Sequence, residues 1–181
     1  LPVPLTSFVG REREIQELRG LLTRTRLLTL AGVGGVGKTR LAIELARATL
    51  DGYPDGIRFV ELAPLDQPAQ VAFAIAQSIG LPEQSGRPLL DTLASALASR
   101  RVLLVLDNCE HLVAAAANVA ECLLRTCPHL RILATTREPL GTEGEVVWRV
   151  QPLTDTDAVD LFQERAHAAE SSFSLTKGNA S

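Results

Sequence analysis

Gly32-Val33-Gly34-Gly35-Val36-Gly37-Lys38-Thr39 has the residue types and spacing that grip phosphate. It satisfies G-x-x-x-x-G-K-[ST] at every fixed position. Glycines let backbone N–H groups turn inward around phosphate oxygens with no Cβ in the way. A helix starting at the end of the loop adds positive dipole to the same spot. Lys38 can reach the β- and γ-phosphates of a nucleotide, and the Thr39 hydroxyl can ligate Mg²⁺. Lys38 and Lys177 are the only lysines; every other cation is arginine. A compact, flexible ammonium thus stands where it suits phosphate better than a planar fork.

A second group lies further along. Residues 101–107 read Arg-Val-Leu-Leu-Val-Leu-Asp, an apolar run ending in an acid. At the C-terminal end of a buried strand, Asp107 faces the place where ligands bind in open α/β sheets, and its carboxylate can hold Mg²⁺. The plainer reading is a strand-end aspartate capping the next turn. Asn108 follows, and an amide cannot take a proton from water at neutral pH. Glu110 is a possible base, or a solvated acid at the start of the next helix. His111 carries less weight.

The third group is Ile132-Leu133-Ala134-Thr135-Thr136-Arg137, a strand ending in polar residues. Thr135 or Thr136 can hydrogen-bond a γ-phosphate or an attacking water. Arg137 can pair with the γ-phosphate and so separate ATP from ADP.

These groups need a frame, and the apolar patterning supplies one. Residues 27–31, 57–62, 102–106, 131–135 and 146–150 read as strands, and residues 102–106 as one buried on both faces. Helices are expected over residues 11–22, 38–50, 67–80, 88–99, 111–126 and 155–169, the last capped by Thr154 or Asp155. Residues 1–9 form an extended, proline-containing lead-in, and the polar residues 171–181 a loose tail. Alternating strands and helices imply a mostly parallel sheet with helices on both faces.

The 181 residues suffice for one α/β domain. Hydrophobic residues make up 46% and charged residues 22%, ordinary for a globular protein. The net charge is −3, which gives no electrostatic case for a nucleic-acid surface. No apolar run approaches the roughly 20 residues of a membrane helix. The beginning, Leu1-Pro2-Val3-Pro4, lacks the charged region and apolar core of a signal peptide. With no Met anywhere, the chain reads as a piece of a longer one. Cys109, Cys122 and Cys127 are an odd set whose spacing fits no zinc pattern, so reduced cytosolic thiols are expected.

In this order, the pieces resemble the NB-ARC-type branch of the STAND ATPases, signal-transducing NTPases with numerous domains. Phe8-Val9-Gly10-Arg11-Glu12 resembles the family's first motif, whose backbone and arginine lie against adenine. Residues 32–39 are similar to its Walker A motif. Residues 103–108, continuing Cys109-Glu110-His111-Leu112, resemble the Walker B segment of a bacterial subgroup. That subgroup comprises large LuxR-type and antibiotic-regulator-type transcription factors, some with cyclase domains. Thr135-Thr136-Arg137-Glu138-Pro139-Leu140 resembles the sensor segment. Residues 150–153 through Ala158, Leu161 and Phe162 resemble the stretch after it.

The resemblance implies a three-layer P-loop NTPase fold whose five-stranded sheet has the order 5-1-4-3-2. The nucleotide-binding domain spans residues 1–170, with residues 1–26 as lead-in and first helix. Residues 171–181 begin a helical subdomain that, in the family, closes over adenine before a winged helix. ATP or ADP with Mg²⁺ is the implied ligand. Val9, Arg11, Gly32, Gly34, Gly35, Val36, Gly37, Lys38, Thr39, Arg40 and Thr136 would contact nucleotide. Thr39 and Asp107 would hold the metal, and Lys38, Asp107, Glu110 and Arg137 would act on the phosphates. Asn108 departs from the second acid of many relatives, which implies slow hydrolysis. The expected partners are the nucleotide, other domains of the same chain, DNA only through those domains, and a nucleotide-dependent oligomer; no membrane is implied. The rival readings are a small-molecule kinase on the same loop, and an interaction domain that no longer binds nucleotide.

Overall fold

A computed structural model of the chain describes residues 1–4, 6–82 and 86–169. The expected tail over residues 171–181 lies outside them. Among the described residues, five strands form one sheet: β1 (Leu27–Ala31), β2 (Ile57–Glu61), β3 (Leu103–Asp107), β4 (Arg131–Thr136) and β5 (Glu145–Arg149). Their order is β2-β3-β4-β1-β5, and every neighbouring pair is parallel. This is the expected order read from the other edge, without an antiparallel strand.

Among the described residues, five helices pack on the sheet, α1 (Glu12–Arg24), α2 (Lys38–Ala48), α3 (Ala69–Ser78), α4 (Leu89–Leu97) and α5 (Val113–Thr126), while a sixth, α6 (Asp155–Ala169), follows β5 outside both cores. Side chains alternate across a strand, so each central strand feeds two cores. Leu28, Leu30, Leu103, Val105 and Leu133 meet Leu18 and Leu22 of α1 and Leu41 and Leu45 of α2. Leu104, Leu106, Ile132 and Ala134 point the other way, onto Val71 and Ile75 of α3, Leu93 of α4 and Leu123 of α5. β1 and β3 are buried at every residue, which explains their mostly apolar sequences, interrupted only by Thr29 in β1 and the terminal Asp107 in β3.

Most element boundaries differ from the sequence reading by one or two residues, and three of the differences have a clear local reason. α1 begins at Glu12, because Arg11 is left-handed (φ 67°) and stands outside the helix as its N-cap. α5 begins at Val113: Asn108, also left-handed (φ 64°), starts a separate 3-10 turn over Cys109–His111. α3 is shorter than residues 67–80, with Pro68 as its N-cap and left-handed Gly80 just past its end. The start of α6 is as expected. Thr154 caps it, its Oγ1 accepting from the Asp157 N–H at 3.2 Å and donating to the Asp157 carboxylate at 2.8 Å. Among the described residues, no helix is long and apolar enough to cross a membrane.

Candidate functional site

The carboxyl ends of β1, β3 and β4 converge because β4 lies between the other two. β1 runs into the glycine loop, β3 ends on Asp107 and β4 ends on Thr136. The Gly32 N–H donates to the Thr136 carbonyl at 3.2 Å, fastening the loop's start to β4. Gly35 (φ 77°) and Gly37 (φ 93°) are left-handed with open space beside them, so conformation rather than crowding demands glycine there. Gly32 is crowded instead: a Cβ would meet the Val150 carbonyl at 3.1 Å.

Lys38, at the first position of α2, is buried and curls back over the loop. Its ammonium donates to the carbonyls of Gly32 at 2.9 Å and Val33 at 3.0 Å. The Thr39 hydroxyl donates to Asp107, with Oδ1 at 2.8 Å and Oδ2 at 3.1 Å. Thr135 Oγ1 donates to Asp107 Oδ1 at 2.6 Å and accepts from the Asn108 N–H at 2.9 Å. The register explains this: Leu106 pairs with Ala134, and one step further Asp107 comes level with Thr135. Asp107 is buried, its carboxylate held by two hydroxyls and no cation among the described residues. Hard oxygens this close, on a buried carboxylate, fit a divalent cation.

Glu110 stands on the 3-10 turn after β3. Arg137 Nε donates to its Oε1 at 3.2 Å, and the Asn108 amide nitrogen, turned toward it, lies 3.0 Å from the same oxygen. Arg137 also leans on the loop: one of its guanidinium nitrogens would lie 3.8 Å from a Cβ on Gly34. Cys109, next to Asp107, is wholly buried. Burial first, then the charges of Asp107 and Glu110, push its thiol up to about 12.

A cavity of about 420 Å³ runs along this cluster, lined by Gly34, Gly35, Gly37, Lys38, Thr39, Arg40, Asn108, Glu110 and Thr135, with Pro2, Val3 and Pro4 as its outer wall. The lead-in segment holds that wall in place. Arg47 donates to the Pro2 carbonyl at 2.9 Å, and Arg40 donates to the Thr6 carbonyl with its guanidinium over the Phe8 ring, 5.9 Å from the centroid. A second cavity, of about 230 Å³, opens on the other side of the loop. Phe8, Val9, Arg11, Val36, Leu161 and Arg165 are among its walls. It is apolar on several sides and adjoins the glycine loop.

Arg11 ties these parts together. Its side chain is only 7% exposed and donates to the carbonyls of Val36 and Gln151, both at 2.9 Å, and to Glu14 at 3.2 Å. Of the sequence-selected residues, Val9, Arg11, Gly32, Gly34, Gly35, Val36, Gly37, Lys38, Thr39, Arg40, Asp107, Glu110 and Arg137 all lie on or around the loop. Thr136 meets the loop only through its backbone carbonyl, and its side chain is set apart. It is fully buried with Oγ1 unpartnered among the described residues, and lines a separate cavity with Glu110, His111 and Arg137. Thr135 is the threonine that joins Asp107. The sequence reading considers either threonine for the γ-phosphate and places Thr136 among the nucleotide contacts, because a strand buried on both faces gives no polar alternation to read. Sequence reasoning missed the Pro2–Pro4 wall and the Arg40–Phe8 contact, though it named Phe8 within the first motif; an extended prolyl segment gives no sign of where it docks.

Fold and site together define a P-loop nucleotide-binding domain: three layers, a parallel sheet, and a glycine loop between the first strand and its helix. The chain belongs to the AAA domain family, whose profile matches residues 22–139. It is 49% identical over 164 residues to a Mycobacterium tuberculosis protein that carries the name HTH-type transcriptional regulator, a match covering 90% of this chain and 18% of that protein. Among solved structures it is similar to a STAND protein with a tetratricopeptide repeat sensor from Pyrococcus horikoshii, at TM-score 0.61 and 20% identity over 96% of this chain and 27% of the other. It is also similar to the Aeropyrum pernix ORC2 protein solved in ADPNP-ADP complexes, at TM-score 0.65 and 17% identity over 92% and 54% of the two chains. The chain thus spans less than a fifth of the length of the mycobacterial relative.

Proposed function

We propose that this chain is the ATP/ADP-binding switch domain of a longer transcriptional regulator, with slow hydrolysis that resets its state. The observation that carries the reading is the cluster Thr39–Asp107–Thr135 beside Lys38, with Asn108 in the place where a second acid would activate water. In this reading the loop N–H groups and Lys38 take the phosphates, and Lys38 exchanges the carbonyls of Gly32 and Val33 for them. Thr39 and Asp107 hold Mg²⁺. Val9 and Arg11 border the adenine, and Arg40 flanks the site from α2. Arg137, now paired with Glu110, reads the γ-phosphate. Bound ATP supplies a terminal phosphoryl group whose presence or loss distinguishes the two states of the switch.

A ligand shifts such an equilibrium only by its differential affinity for the two arrangements. Arg137 and Glu110 are the residues placed to supply that difference, because their ion pair competes with the γ-phosphate for the same guanidinium. Glu110 is the acid that lines the loop cavity and could act as a base, and it is engaged by two donors. Both features favour slow turnover. The reading places the working domain in residues 1–170, expects residues 171–181 to begin a helical subdomain, and assigns DNA contact and nucleotide-dependent assembly to other parts of the chain. It places the protein in the cytoplasm. The mycobacterial relative's name and the STAND-like fold support the regulatory role. The test is the nucleotide response of the full-length regulator carrying Lys38→Ala or Asp107→Ala. Loss of the response supports the reading; a wild-type response, or a phosphorylated metabolite formed from ATP, contradicts it.

A further inference from the structure

The sheet has another end. At the amino ends of the strands, opposite the glycine loop, an open cavity of about 230 Å³ is bordered by the last turns of α1, the exit from α2 and the leads into β3 and β4. Its lining includes Arg19, Arg101 and Arg131, with Asp51 as the single acid. The chain as a whole has net charge −3, so three guanidinium groups around one small cavity run against its overall balance.

Arg131 has a structural task. It donates to the carbonyls of Thr25 and, at 2.9 Å, Thr23, closing the C-terminus of α1. Arg19 and Arg101 have no such task. Among the described residues neither guanidinium makes a hydrogen bond or ion pair; only the backbone N–H of Arg101 is engaged, by Asp55 at 2.7 Å. Both are exposed at the rim, while Tyr53 lies buried beneath them. Burial raises the Tyr53 pKa, and the charges of Arg131 and Arg101 act in the opposite direction. Arg101, Arg131 and Tyr53 line the same cavity, and the phenol stays a protonated donor at neutral pH.

We infer that this cavity is a second anion site, distinct from the glycine loop, which takes a small phosphate- or pyrophosphate-bearing ligand. Guanidinium forks match phosphate oxygens in pairs, and the tyrosine hydroxyl adds a neutral donor from below. The volume is under the roughly 300–1,000 Å³ of pockets for drug-sized ligands, which restricts the occupant to a small anion. Bound anion also relieves the mutual repulsion of the arginines. The site touches the far ends of α1 and α2, whose near ends hold Arg11 and Lys38.

The site is independent of the nucleotide reading, and its test keeps the two apart. Pyrophosphate is titrated by calorimetry into the full-length chain carrying Lys38→Ala, which disables the loop. Binding should persist there, and Arg19→Gln with Arg101→Gln in that background should weaken it by at least about tenfold. Arg101→Lys, which keeps the charge and loses the fork, should fall between. Inorganic phosphate in a parallel titration should compete for the same site. The proposal is overturned if Lys38→Ala alone abolishes binding, if the double substitution leaves it unchanged, or if Arg125→Gln on the exposed face of α5 weakens it equally.

Discussion

Arg11 offers the sharpest test of how the lead-in segment, the loop and the β5–α6 connection are joined. Its guanidinium makes two bonds at 2.9 Å to the Val36 and Gln151 carbonyls from a side chain that is 7% exposed. A hydrogen bond from a charged donor contributes about 1.5–3 kcal/mol. Taking the lower figure, because the Gln151 end is open to water, Arg11→Ala loses about 3 kcal/mol of stability. The backbone adds a second prediction. Arg11 is left-handed (φ 67°), which costs a non-glycine residue about 1 kcal/mol. Alanine keeps that strain and glycine removes it, so Arg11→Gly should lose only about 2 kcal/mol. Urea denaturation gives both values, and at constant m the midpoints should rank wild type, then glycine, then alanine. Equal midpoints for the two variants would refute the strain argument. Wild-type midpoints for both would refute the clamp itself.

Other perturbations separate the parts of the site. Arg137→Ala should reduce the preference for ATP over ADP by about tenfold while ADP affinity holds, checked by competitive titration with a fluorescent analogue. Asn108→Asp places an acid beside Asp107 on a backbone conformation that aspartate tolerates, and should raise the rate of phosphate release by at least about tenfold. Cys109 makes a pH prediction. Its folded pKa of about 12 lies above the ordinary 9.0, so above pH 9 the unfolded chain loses the proton first and stability falls. The slope approaches about 1.4 kcal/mol per pH unit, is absent below pH 9, and should flatten in Cys109→Ala when urea midpoints are followed from pH 8 to about 10.5.

Much of this was legible in the residue types. The loop between β1 and α2 is announced by glycines that need positive φ, and a lysine in an arginine-using chain marks its end. The unbroken apolar run of β3 announces a central parallel strand, and its terminal aspartate announces the site. What the sequence concealed follows from local geometry. Left-handed Arg11 and Asn108 are non-glycine residues whose conformations are fixed by distant partners, among them the Val36 and Gln151 carbonyls and the Thr135 hydroxyl. No propensity reveals such partners. The choice of Thr135 over Thr136 as the partner of Asp107 depends on register, which appears only once β3 and β4 are paired.

The central claim is that the glycine loop binds Mg²⁺-ATP and ADP through Lys38. Calorimetric titration of both nucleotides into the full-length chain, wild type against Lys38→Ala, tests it most directly. Lys38 has two charge-assisted bonds to transfer from loop carbonyls to phosphate oxygens, so its removal should weaken both ligands by about a hundredfold. Affinity unchanged in Lys38→Ala, or no nucleotide binding by the wild-type protein, would contradict the account.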